Sequence, residues 1–157
     1  MRAIKSLVMF MAGFCAFITI EVLFRGYSYV MSGVMGGLAV IALDRINDEI
    51  SWDMDLTLQA LIGGAFVTAM EFAVGVVAKY TNILPVMWDY SDVPLNIGGI
   101  ICLPFTIAWT LLSVLAIFLA DAINYYVFED TCVPRYTLFG TFKFRFRPKK
   151  CERNPDE

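Results

Sequence analysis

Residues 56–78 read LTLQALIGGAFVTAMEFAVGVVA, closed by Asp55 on one side and Lys79 on the other, with Glu71 as the sole charge between them. A helix crosses the hydrocarbon of a bilayer with about 20 predominantly apolar residues. This stretch meets that length, so it predicts a membrane span. Working outward, Ile4 to Phe24 carries no charge between Lys5 and Glu21, and Tyr27 to Leu43 is bounded by Arg25 and Asp44. Val93 to Ala120 is uncharged up to Asp121, and Pro94 and Pro104 predict that its regular helix begins at or after Gly99. The expected spans are therefore about 4–24, 27–43, 56–78 and 99–120, the second being the shortest.

Composition agrees. Of 157 residues, 59% are hydrophobic and 17% charged, and the mean hydropathy is +0.66. A soluble domain runs at about 45–50% apolar and about 25% charged. With no histidine in the chain, catalytic triads and metal sites that need imidazole are excluded. The expected fold is an all-α integral membrane bundle of four transmembrane helices over residues 1–128. A re-entrant or interfacial loop is expected between helices 3 and 4, and residues 129–157 form a basic tail.

The Arg2/Lys5 start followed by an apolar run also fits a signal peptide, but the run ends in Glu21-Val22-Leu23-Phe24-Arg25 without a small-residue cleavage site. An uncleaved first helix is expected. Orientation follows from lysine and arginine. With four spans, Arg2, Lys5, Arg45, Arg135, Lys143, Arg145, Arg147, Lys149, Lys150 and Arg153 share one side, against Arg25 and Lys79 on the other. Both termini are expected in the cytoplasm of a plasma-membrane protein.

Cys15, Cys102, Cys132 and Cys151 form no CxxC pair, so reduced thiols are expected and neither a cofactor nor a metal site is proposed. Gly33 and Gly37 make a GxxxG pair beside Ser32 and Gly36, and the third span carries Gly63, Gly64, Ala65, Ala69 and Gly75. Small residues let membrane helices approach closely. They suit contacts inside one bundle, or a homo-oligomer or partner-subunit interface. Tyr27, Tyr29, Tyr80, Trp88 and Trp52 near span ends fit an interfacial aromatic belt.

Polar groups inside hydrocarbon are the candidates for function. A charge at the bilayer centre costs at least about 2.5 kcal/mol, so Glu71 is expected to face the bundle interior and find a partner. Glu21 and Arg25 are spaced to pair at i,i+4. The following loop, Trp88-Asp89-Tyr90-Ser91-Asp92-Val93-Pro94-Leu95-Asn96-Ile97-Gly98, is dense in polar and turn-forming residues after the apolar run Ile83–Met87. The candidate cluster is thus Glu21, Arg25, Glu71, Trp88, Asp89, Tyr90, Ser91, Asp92 and Asn96, with Lys79 nearby. It reads as a hydrogen-bonded cap or as a cation- or substrate-binding vestibule. The tail alternates Lys143, Phe144, Arg145, Phe146 and Arg147 before Lys149 and Lys150. That pattern predicts adsorption to anionic lipid with phenylalanines entering the interface, and nothing in it points to nucleic acid.

The run Glu21-Val22-Leu23-Phe24-Arg25-Gly26-Tyr27-Ser28, then Gly36-Gly37 and Glu71-Phe72, resembles successive blocks of the type IV ABC-transporter permease family. The likeness is sharpest in Trp88-Asp89-Tyr90-Ser91-Asp92 through Pro94-Leu95-Asn96, and in Ile101-Cys102-Leu103-Pro104-Phe105. It covers roughly Phe17 to Phe128. The resemblance implies a small bacterial multi-span protein related to transport, and it assigns no catalytic or binding residue. No GxxxxGK[ST] phosphate loop occurs in the chain, so within such a system the ATPase is expected to be a separate polypeptide. The competing readings are a transporter permease-like component and a non-transporting membrane scaffold or regulatory protein. An enzyme is the weakest, since only carboxylate chemistry is on offer.

Overall fold

A computed structural model describes residues 2–49, 54–128 and 133–147. Trp52, Cys132, Cys151, Lys149, Lys150 and Arg153 lie outside the described residues. Four helices dominate: α1 (Arg2–Arg25), α2 (Val30–Glu49), α3 (Leu56–Thr81) and α4 (Leu103–Tyr126). Each end has a local cause. Gly26, at φ 83°, leaves the helical region after α1, a conformation that costs glycine little. Asp55 caps α3 by accepting the Thr57 amide at 2.9 Å, and Asn82 closes that helix in the left-handed region. Pro104 sits in the first turn of α4, where its missing N–H would find no helical partner anyway.

Among the described residues, α1, α3 and α4 are long and apolar enough to cross a membrane. The expected second span is dilute in apolar residues because Ser32, Gly33, Gly36 and Gly37 occupy its face toward α1. There Phe14 lies against Gly33, Phe17 against Gly36 and Phe10 against Gly37. These small residues therefore serve contacts within the chain. On α3, Gly63 and Gly64 receive Ser113 and Thr110 of α4, and Gly75 receives Ile100. Ala65 and Ala69 instead face outward, so the small-residue run of α3 splits between a packed face and an exposed one.

The structure departs from an all-α chain in two places. β1 (Asn96–Ile97) pairs antiparallel with β2 (Ile101–Cys102), and α4 starts directly after them at Leu103. β3 (Arg135–Leu138) pairs with β4 (Phe142–Arg145), Tyr136 opposite Phe144, inside what the sequence presents as a polar tail. Strand alternation sorts that hairpin. Arg135, Lys143 and Arg145 are exposed, while Tyr136 is buried and Phe144 and Phe146 are half-buried. The two phenylalanines pack with Val114, Phe118 and Leu138 around Leu56, Ile117 and Tyr136. This corrects the expectation that they enter the lipid interface. Two helices also run past the charges that appeared to end them: α2 continues beyond Asp44, and α4 beyond Asp121.

Both charges are satisfied in place. Lys5 Nζ lies 3.2 Å from Asp44 Oδ2, Asn124 Nδ2 donates to Asp44 Oδ1 at 2.6 Å, and Tyr136 OH donates to Asp121 Oδ2 at 2.5 Å. These contacts gather the start of α1, the ends of α2 and α4, and the hairpin at one end of the molecule. Arg25 bonded to the Met87 carbonyl and Lys79 bonded to the Gly98 carbonyl mark the opposite end, under the 82–102 connection. The helices therefore alternate in direction. α1 packs mainly on α2 and α3 on α4, with α2 meeting α3 and α4 between the pairs.

A Cβ on Gly36 would collide with the Phe17 side chain and the Gly13 carbonyl oxygen. Gly36→Ala is expected to spread α1 from α2 and cost about 1–3 kcal/mol through overpacking, read as a lower Tm, whereas Leu38→Ala on the exposed face changes it little. At the hairpin end, Asp55 Oδ2 accepts the Gly140 amide at 2.7 Å. That bond first, and those to Thr57 second, hold its carboxyl below the ordinary value of 3.8. A lowered value means the anchor is complete above that pH and fails as pH falls through the folded-state value. The Gly140 amide NMR resonance should stay fixed from pH 7 to 5 and move only below 3.8, and Asp55→Ala should shift it at every pH.

Candidate functional site

Glu71 lies about three turns before the end of α3 and is only 3% exposed. A buried carboxyl needs partners, and it has two. Tyr90 OH donates to Oε1 at 2.8 Å, and Trp109 Nε1 donates to Oε2 at 3.0 Å. Tyr90 comes from the 82–102 connection and Trp109 from the second turn of α4, so one carboxyl ties three segments together. Arg25 does not reach it. The guanidinium is taken by Glu21 Oε1 at 2.7 Å, the Met87 carbonyl at 3.0 Å and the Tyr27 carbonyl at 3.2 Å. It also lies 4.8 Å from the Tyr27 ring centre and 5.5 Å from that of Tyr29, close enough for cation–π attraction. The other oxygen of Glu21 accepts from Ser28 Oγ at 2.5 Å.

The candidate residues of the loop divide in two. Trp88 and Tyr90 turn inward, with Trp88 Nε1 donating to the Ile100 carbonyl at 2.9 Å. Asp89, Ser91, Asp92 and Asn96 form the outer turn. There Asp89 Oδ1 accepts from the Ser91 amide and hydroxyl, and Asn96 Nδ2 donates to the carbonyls of Val93 and Ser91. Gly99 N–H donates to Asn96 Oδ1 at 3.0 Å. Gly99 is at φ 70° with Ser91 and Asp89 where a Cβ would stand, so the turn closes only over glycine. The Ser91 hydroxyl and then its amide lower the Asp89 carboxyl below its usual range, which fits a fixed anion in a surface turn. Asp92 is exposed. Asp89, Ser91 and Asn96 brace the loop, and the inward pair carries Glu71.

Sequence reasoning missed the rest of the site. Tyr90 stacks on Phe105 with ring centres 4.6 Å apart; Phe105 lies 6.3 Å from Trp109, and Trp109 stacks on Phe17 of α1 at 5.5 Å. This aromatic ladder forms the upper wall of a cavity of about 380 Å³ between the α1/α2 and α3/α4 pairs. Glu21, Arg25, Ser32 and Glu71 also line it, and Ala39, Leu112 and Leu119 carry its wall toward the hairpin end. A mid-span tryptophan was the available signal for Trp109, but aromatic residues in spans are common and spacing does not reveal which ones share a level.

These features define a helical membrane protein with a ligand-sized apolar cavity beneath a polar cap. The family profile described as "Putative ABC-transporter type IV" matches residues 5–139, and the chain belongs to that family. No curated protein matches the sequence. No solved structure matches it.

Glu71→Gln keeps the shape and an acceptor for one donor, so the fold is expected to survive. Glu71→Leu leaves the Tyr90 hydroxyl and Trp109 N–H without a partner, at about 1–3 kcal/mol for each buried group. The expected ranking of Tm is wild type, then Gln, then Leu. Equal Tm for Gln and Leu would show that the hydrogen bond Gln retains carries no stability.

Proposed function

We propose that this chain is a permease-like component of an ATP-driven transport system. In this reading it crosses the plasma membrane four times with both termini in the cytoplasm, and a separate polypeptide supplies the ATPase. The observation that carries the reading is the cavity between the two helix pairs. Permeation needs a compartment that the bilayer does not already fill, and transporters place such sites where helix bundles meet.

The case for four spans rests on the alternating helix directions and on the polar content of α2. Ser32 and Asp44 are turned inside, whereas Val30 and Leu38 are exposed, so α2 presents apolar residues outward despite its lower mean hydropathy. Seven of the basic residues, Arg2, Lys5, Arg45, Arg135, Lys143, Arg145 and Arg147, lie toward the hairpin end of the described structure. Arg25 and Lys79 lie at the cap end, which the positive-inside rule assigns to the exterior. The connection with exposed Ile83 and Val86 then rests in the outer interface, and the basic outer face of the hairpin faces anionic cytoplasmic lipid.

Two measurements test this. In a chain freed of its native cysteines, Ser91→Cys should react with an impermeant maleimide on intact cells and Lys143→Cys only after permeabilisation; the opposite pattern overturns the orientation. Tagged protein captured from native membranes should bring an ATP-hydrolysing polypeptide with it. Capture without ATP hydrolysis would overturn the transport reading in favour of a scaffold or regulator.

A further inference from the structure

We propose that the cavity between the helix pairs is a binding site for a hydrophobic organic cation, an ammonium group carried on an apolar body. The proposal names the substrate class for the transport reading above and rests on that reading for its physiological role, though binding can be measured without it.

Three observations converge. The first is the compartment itself. At about 380 Å³ it falls within the range of about 300–1,000 Å³ usual for small-molecule sites, and its walls are almost wholly apolar side chains. Ile20 of α1 and Leu115 of α4 line it and are exposed, so it opens sideways between these two helices, the direction from which a membrane-dissolved molecule arrives.

The second is the charge at its head. Both carboxylates on the cavity wall belong to the cap end, but only Glu21 has a cation, Arg25. Glu71 is met by two neutral donors, and no lysine or arginine reaches it among the described residues. Trp109 meets Glu71 with its indole edge, and Trp109, Phe105 and Phe17 all line the cavity, where aromatic rings attract cations. An anionic ligand would meet two carboxylates and one guanidinium already engaged. A cation meets an uncompensated carboxyl and an aromatic ladder.

The third is independent of the acidic groups. Ser32 is 1% exposed and lines the cavity, yet its hydroxyl oxygen has no hydrogen-bond partner. A buried hydroxyl without a partner is costly, and so marks a place where a polar group is missing. Its level follows from the α1/α2 seam: Gly13 lies against Val40 and Phe17 against Gly36. One further turn along both helices sets Ser32 beside Glu21, at the head of the cavity. An ammonium N–H can donate to the Ser32 oxygen while its charge faces Glu71, with the apolar body extending along Ala39, Leu112 and Leu119.

The test uses three molecules that share one apolar cage: 1-adamantylammonium, neutral 1-adamantanol and anionic adamantane-1-carboxylate. Binding to the full-length protein in nanodiscs is measured calorimetrically, with empty nanodiscs subtracted. The ammonium should bind saturably at one per chain, and the carboxylate should show no saturable binding. Glu71→Gln, checked for an unchanged elution profile and circular dichroism, should weaken the ammonium at least tenfold and leave the alcohol unchanged. Ser32→Ala should weaken the ammonium a few-fold. Ala108→Phe, which fills the cavity without touching the cap, should abolish binding and covers the case in which Glu71→Gln fails to fold. Equal affinity for all three cages, no saturable ammonium binding, or ammonium binding untouched by both Glu71→Gln and Ala108→Phe overturns the site. Ammonium binding in a chain that captures no ATPase leaves the site standing and overturns only the transport reading.

Discussion

A carboxyl group shut away from water has to be answered by the protein, and in this chain the answer to Glu71 organises one whole end of the molecule. Tyr90 must descend from the connection and Trp109 must present its indole edge from α4 for both oxygens to be satisfied. Each demand fixes a neighbour. Tyr90 holds its position by stacking on Phe105 and by the bond from its amide to the Gly99 carbonyl. Trp109 does so by stacking on Phe17. The tight turn of Asp89, Ser91, Asn96 and Gly99 follows, since it sets the depth from which Tyr90 reaches down. Burial first, and the Glu71 charge next, push the Tyr90 phenol above its usual range, so it stays a donor throughout the physiological range.

The opposite end solves the same problem with different chemistry. Asp44 and Asp121 are buried like Glu71, and they are met by Lys5, Asn124 and Tyr136. Tyr136 arrives on a β-hairpin, whose alternation turns its aromatic residues toward α4 and its basic residues outward. Burial, and then the bond to Asp121, raise the Tyr136 phenol above its usual range, so it too remains protonated as the donor. The hairpin is thus fastened by a buried hydrogen bond and an aromatic cluster, and the cavity lies between two polar plugs. Glycine seams hold α1 to α2 and α3 to α4 closely, whereas α1 meets α4 through the Phe17–Trp109 stack and the cluster of Met9 with Ala120. Close packing within the pairs and a looser junction between them leave the open volume.

Much of the scaffold was legible in the chain because its causes are local. Apolar run length, the charges that border those runs, and Pro104 located the helix starts to within a few residues, and the i,i+4 spacing of Glu21 and Arg25 foretold their ion pair. The loop's polar density marked it as structured. The errors have a shared origin. Asp44 and Asp121 looked like the ends of spans because a charge in isolation signals water. Their partners, Asn124 and Tyr136, stand 80 and 15 residues away, beyond the reach of any local pattern. The alternation of Phe144 and Phe146 with basic residues was visible, but it is equally the pattern of a lipid-adsorbing segment and of an edge hairpin packed on one face.

The sequence by itself determined a helical membrane protein, the places of its helices, its family, and the fact that Glu71 had to be buried with partners. These follow from run length, composition and the cost of a charge in hydrocarbon, all of which a linear chain displays. Tertiary structure decided which partners those are, why α2 spends its inner face on glycine, where the hairpin docks, and that a cavity headed by Ser32 and Glu71 exists at all. A cavity is a shortage of packing between elements, and no residue encodes it alone. It arises where Phe17 meets Trp109 across two helix pairs, a contact between residues 92 positions apart in sequence.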